Sequence, residues 1–201
     1  MPFALRLLTV LLLVVGGAQF AIGLWIPAKA ALAQALLEAA WQRTTERGER
    51  VRPWPWADTW PVARLTVPRL NTSWIVLSGS SGRTLAFGPG HTDGSALPGE
   101  IGAAIVSGHR DTHFARLRDL EVSDEIVVER PDGTRIHYRV EDLRVADSRN
   151  DHLRDPGIGR SLALVTCWPF DALTTGGPLR FVATAHAETV HLPIAKQVLE
   201  W

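Results

Sequence analysis

The sequence predicts a small all-β domain, a barrel or a sandwich, preceded by an N-terminal membrane-spanning helix. Three observations carry that reading. From Val62 onward, short β-type runs alternate with turn residues, and little of the stretch has helical period. Ahead of them lies one long apolar run, Leu7–Trp25. The chain of 201 residues has room for one ordinary domain plus an appendage. Formal net charge is zero, so no long-range field argues for nucleic acid or an acidic partner. The single cysteine, Cys167, rules out an intramolecular disulfide. No Gly-rich phosphate loop, no Cys/His set at zinc spacing and no internal repeat is present, so no cofactor is expected. Tryptophan is plentiful and tyrosine scarce, a bias without a functional account.

Leu7–Trp25 is apolar apart from Thr9 and Gln19 and opens after Arg6. As a helix it would span roughly 28 Å, about the hydrocarbon thickness of a bilayer. Trp25 sits where an interfacial aromatic belongs, and Arg6 favours a cytoplasmic N-terminus. The rival is a cleaved signal peptide, with Ala28-Lys29-Ala30 as its site. A signal core is usually shorter than this run, which favours an uncleaved anchor, residues 1–27. On either reading the rest is exported.

Ala28–Arg47 reads as an amphipathic helix with Leu32, Leu36, Leu37 and Trp41 on its packing face and Gly48 as its stop. Arg52–Pro61, R-P-W-P-W-A-D-T-W-P, is a proline-stiffened linker that closes the segment 28–61. Strand candidates follow at Ala63–Val67, Ser73–Leu77, Ile101–Val106, Glu125–Glu129, Arg135–Ala146, Leu162–Thr166 and Leu179–Ala185. Pro131-Asp132-Gly133 is a hairpin signal, and Gly88–Gly99 reads as loop. Ser148–Arg160 is a long polar connection, a kind more often functional than filler. Residues 188–201 form a short tail.

The chemistry-bearing stretch is Ser161–Phe170, S-L-A-L-V-T-C-W-P-F. Its apolar run reads as a buried strand ending at Cys167, cut off by Pro169. A thiol at a strand end beside a loop is open to a substrate, although a lone cysteine is also often a small buried hydrophobe. A reacting thiol needs a proton-transfer partner and an oxyanion stabiliser. His109 directly follows an apolar run and the small pair Ser107-Gly108, so it too stands at a strand end. His109, Asp111 and His113 are imaginable as metal ligands, but no fourth ligand stands at a structural-zinc spacing. His91, His137, His152, His186 and His191 read as solvated. Arg180 opens the run Leu179–Thr184 and is the candidate oxyanion partner.

Together, S-G-H-R-D-T-H-F (Ser107–Phe114), L-A-L-V-T-C-W-P-F (Leu162–Phe170) and G-G-P-L-R-F-V (Gly176–Val182) resemble the sortase family. Motif order and approximate spacing agree over about Val62–Ala187. Within the family the histidine and cysteine motifs look most like class D-type sortases. The G-G-P-L-R ending, tryptophan-rich linker and short length resemble the proteobacterial, marine or class GN branch. The resemblance implies an eight-stranded β-barrel over residues 62–187 with short helices, carried on a membrane anchor.

It also implies a cysteine transpeptidase, a thiol protease in its first half-reaction, used for cell-surface protein sorting. Cys167 would be the nucleophile, His109 the general acid/base and Arg180 the oxyanion partner. Thr166 matches the family threonine lining the peptide groove, and Trp168 stands where tyrosine is frequent, so both are substrate-binding candidates. The first threonine of the family's T-L-x-T-C is Ala163 here, roughly 13 Å back along the strand and on the face of Cys167, which implies packing. The implied partners are a protein substrate with a C-terminal LPXTG-like sorting signal and an amine acceptor the sequence does not name. The implied location is the cytoplasmic (inner) membrane, single-pass, with the domain on the periplasmic or extracytoplasmic side. Two rivals stand beside this reading: a cell-wall L,D-transpeptidase or peptidase, and a membrane-tethered β-barrel peptide-binding module without catalysis.

Overall fold

The computed structural model describes residues 3–151, 159–172, 174 and 176–188. By its contacts the chain divides into two compact units, Met1–Pro61 and Val62–Trp201.

The first unit is dominated by α1 (Phe3–Arg47), a helix of 45 residues. Where the sequence suggests two helices, one runs through Pro27. A proline removes one backbone bond, and the strong helix formers on both sides continue past it. Residues 7–25 expose their side chains, and the helix is long and apolar enough to cross a membrane. Lys29 places its ammonium 5.4 Å from the Trp25 ring. The buried stripe is Ala33, Leu37, Ala40, Trp41 and Thr44, while Leu32, expected inside, is exposed. Those five recur at spacings of three and four, so they share one face that Leu32 misses. Gly48, at φ 69°, ends the helix by donating its N–H to the Thr44 carbonyl at 2.9 Å.

The second unit is a closed eight-stranded barrel in the order β1-β2-β3-β4-β7-β8-β6-β5. The strands are β1 (Pro61–Val67), β2 (Thr72–Ser78), β3 (Gly90–His91), β4 (Gly102–Ser107), β5 (Glu125–Glu129), β6 (Arg135–Asp147), β7 (Arg160–Cys167) and β8 (Leu179–Ala187). A short helix α2 (Gly82–Leu85) and a 3-10 turn at Ala115–Asp119 sit in the connections. β1 and β5 alternate buried and half-buried residues, putting Ala63, Leu65, Val67, Ile126 and Val128 inside. Each fully buried Leu or Ile here is worth roughly 1.5–3 kcal/mol of burial. β7 is instead buried continuously from Ser161 to Leu164 and opens on its outer face at half-buried Val165 and Cys167.

The hairpin at Pro131-Asp132-Gly133 joins β5 to β6: Gly133 has φ 79°, Arg130 N–H meets the Thr134 carbonyl at 2.9 Å, and Asp132 Oδ1 accepts from Thr134 N–H. β3 lies inside the stretch expected to be loop. Two residues carry no readable period, and its pairing with β2 and β4 is decided by neighbours distant in sequence. The tail 189–201 and most of the Ser148–Arg160 connection fall outside the described residues.

Candidate active site

Cys167 is the last residue of β7 and is partly exposed. Leu162, Leu164 and Thr166 face the interior, which leaves Ala163, Val165 and Cys167 on the outer face. Across the antiparallel ladder Cys167 stands directly opposite Arg180, and Arg180 stands opposite Ala146 of β6. Directly opposed residues share a face, with Cβ atoms about 4.5–5.5 Å apart. On its other side β7 runs parallel to β4, with Ser107 level with Val165 and Gly108 N–H bonded to the Val165 carbonyl at 3.1 Å. Carried two residues on, that register sets exposed His109 level with Cys167. Thiol, imidazole and guanidinium therefore belong to one end of three neighbouring strands.

The loop bearing His109 is fixed at several points. Gly108 is needed there because a Cβ would come within 2.7 Å of the Phe114 ring, which is fully buried beside it. Phe114 N–H donates to the His109 carbonyl at 3.0 Å. Thr166, buried on the inner face, donates its hydroxyl to the Gly108 carbonyl at 2.7 Å. Its observed contact is thus with the His109 loop from beneath the sheet. Trp168 continues the ladder, its N–H on the Leu179 carbonyl at 3.0 Å. Its ring, half-buried, stacks on Phe181 (6.2 Å) and meets Phe170 edge-on (5.6 Å), with a cis peptide to Pro169.

Arg180 directs one nitrogen, Nη1, at the carbonyls of Gly177 (2.6 Å) and Leu179 (2.9 Å). Beside it is a cleft of about 300 Å³. Its floor is apolar, with Ile105, Val165, Val182 and Ala146 from four adjacent strands; Arg144, Arg180, Ser148 and Asp151 form the rim. The rim is anchored, since Ser148 bonds the Pro178 carbonyl through both its N–H (3.0 Å) and its hydroxyl (2.8 Å). Next to it the Arg149 guanidinium, bonded to Asp147, holds that carboxyl down at about 2. Arg144 and Asp151 were not legible as site residues in the sequence; only the outer-face register of β6 against β8 brings Arg144 to the cleft.

His113 lies near His109. Burial chiefly, and then the charge of His109, push the His113 imidazole below its ordinary value, against a hydrogen bond to the Ala86 carbonyl. Of the histidines expected to be solvated, His91 is instead buried in β3, its Nε2 2.9 Å from the Ala96 carbonyl. The Ser95–Ala96 segment that follows β3 folds against it, with Ser95 Oγ 3.0 Å from the same nitrogen. His137 meets Glu125 at 2.7 Å and His186 meets Glu141 at 3.0 Å, both away from the cleft. His152 and His191 lie outside the described residues.

Arg110 gave no local signal, yet it is buried and joins the His109 loop to the β7–β8 connection. Its acceptors lie 59 to 64 residues away, beyond any sequence window.

Comparison with known proteins bears on family and fold. Residues 65–188 match the sortase domain family. Sortase D of Bacillus subtilis (strain 168) is 29% identical over 119 residues, 59% of this chain. The chain spans 59% of the length of that curated relative. Among solved structures, a Clostridium perfringens sortase D5 transpeptidase superposes with a TM-score of 0.63 at 20% identity, over 79% of this chain and 99% of that one. Sortase A from Corynebacterium diphtheriae gives 0.60 at 23% identity, over 81% and 87%. Sortase C-1 from Actinomyces oris gives 0.57 at 26% identity, over 77% and 98%.

Proposed function

The chain belongs to the sortase family, and from that premise we propose that it is a membrane-anchored, class D-like cysteine transpeptidase acting on a protein with a C-terminal LPXTG-like sorting signal. The observation that carries the reading is the direct opposition of Cys167 and Arg180 across β7 and β8 beside the cleft, with the β4–β7 register running up to Ser107↔Val165, two residues before His109 and Cys167.

On this reading the Cys167 thiolate attacks the carbonyl carbon of the signal's threonine. The resulting oxyanion is held by Arg180, whose Nη1 is anchored on backbone carbonyls. His109 as imidazolium protonates the departing glycine amine as the C–N bond breaks, leaving a thioester on Sγ. An incoming amine then attacks the thioester, gives its proton to His109 and releases the thiolate. The apolar cleft floor suits a hydrophobic side chain of the signal, and its position on the outer face leaves room for an extended peptide. α1 supplies the anchor, its apolar run lying between Arg6 and the Trp25–Lys29 contact. The barrel then stands on the extracytoplasmic side of the cytoplasmic membrane.

The test uses the full chain in detergent with an L-P-x-T-G peptide and a small amine. Mass spectrometry is expected to find the peptide's N-terminal portion on Cys167, transferred to the amine on chasing, and no adduct on Cys167→Ala. A folded wild type that forms no adduct with a panel of such peptides refutes the proposal.

A further inference from the structure

We propose that Arg110 is a positioning residue of the site, a buried cation that sets the His109 loop and the connection leaving Cys167 in fixed relation. The inference rests on the reading of Cys167 and His109 as the reacting pair. Arg110 is 9% exposed, and among the described residues it has no carboxylate partner. Its guanidinium is spent wholly on backbone: Nη1 donates to the Pro169 carbonyl at 2.9 Å, and Nη2 to those of Ala172 (2.9 Å) and Thr174 (2.7 Å).

Burying a charge without a counter-ion is costly, and charge-assisted hydrogen bonds to three carbonyls are what offset it. Three acceptors held by two nitrogens require a planar fork with fixed angles, which an ammonium on a flexible stem does not supply. The bonds reach across 59 to 64 residues, so they order the connection relative to a distant segment. That segment is the His109 loop itself: Arg110 follows His109 by one peptide, and the carbonyls of Gly108 and His109 are already occupied by Thr166 and Phe114. Pro169 lies two residues beyond Cys167, and the far end of the same connection is held by Arg180 and Ser148. Moving Arg110 therefore moves both sides of the thiol–imidazole pair. An exposed tie to the same connection, Arg118 to Asp171 Oδ1 at 3.2 Å, runs through a solvent-screened carboxylate and is the weaker of the two.

The test reads Cys167 directly and needs no substrate. Alkylation of the full-length protein by iodoacetamide is followed against pH for wild type, His109→Gln, Arg110→Gln and Arg110→Lys, with unfolding midpoints measured in parallel. His109→Gln is expected to shift the alkylation profile. Arg110→Gln should shift it in the same sense, while added methylguanidinium restores the wild-type profile. Arg110→Lys keeps the charge but lacks the fork, and is expected to lie between; it serves if Arg110→Gln does not fold. With the L-P-x-T-G peptide as a second probe, kcat falls by about 100-fold for a displacement near 1 Å while KM changes little. A profile unchanged in folded Arg110 variants, although His109→Gln shifts it, overturns the assignment of Arg110. So does a lower unfolding midpoint with kcat intact. A profile that His109→Gln leaves unaltered refutes instead the thiol–imidazole pair, and this inference with it.

Discussion

Arg69 and Arg110 each tie together segments more than fifty residues apart, and they do so with opposite electrostatics. Arg69, in the β1–β2 connection, is half-exposed and bonds carboxylates: Asp124 Oδ2 at 2.7 Å and Glu121 at 3.4 Å, besides the Asp119 carbonyl. Arg110 is buried and bonds only carbonyls. A cation neutralised by carboxylates is released when they protonate or salt screens them. One held by carbonyls keeps its partners at every pH and transmits position. Titratable bridges also stand near the site, at Arg149–Asp147 and Arg118–Asp171, but the buried cation of the His109 loop is held by carbonyls alone.

The largest effect that would sharpen this contrast belongs to Arg180→Ala. If the anchored guanidinium serves the oxyanion, kcat should fall about 100- to 1,000-fold with the unfolding midpoint nearly unchanged. A loss confined to KM would break the comparison by making Arg180 a binding residue.

Next comes Gly108→Ala, which forces a Cβ to within 2.7 Å of the Phe114 ring. Overpacking of this kind costs about 1–3 kcal/mol, and here it also displaces His109. Urea unfolding and peptide turnover should both suffer.

Acid comes third. The His113 imidazole sits below its ordinary value, so the unfolded chain binds more protons there, and stability falls once the pH drops below about 6.5. The Arg69 hydrogen bond lowers the Asp124 carboxyl, so its contribution is complete above about 3.9 and is lost as the pH falls further. Urea unfolding against pH should show both losses, Asp124→Asn reducing only the lower one, to which the lowered Asp147 carboxyl also contributes. A single loss, unaffected by Asp124→Asn, would contradict the role given to Arg69.

Salt is the smallest lever. Raising ionic strength should weaken the exposed Arg69–Glu121 pair slightly and leave turnover-linked Arg110 untouched. Glu121→Gln should therefore remove part of the salt dependence of stability without changing kcat.

Much of the architecture was legible in local pattern. Short β-type runs between turn residues marked β1 and β5, the Pro131-Asp132-Gly133 turn marked the β5–β6 hairpin, and a run of apolar residues stopped by Pro169 marked β7. β3 escaped because two residues have no period, and the unbroken α1 escaped because a proline's effect depends on what surrounds it. Arg110 escaped because its three acceptors are backbone atoms, which no side-chain pattern announces.

By itself the sequence determined that Cys167, His109 and Arg180 stand at or just beyond the ends of strands, since termination by Pro169, Gly108 and the Gly176-Gly177-Pro178 turn is a local property. Only the tertiary structure decided that these ends meet. Side-chain period fixes which face a residue takes within its strand, but the pairing of β7 with β4 and β8, and with it the register Cys167↔Arg180, comes from closing the barrel around a shared core.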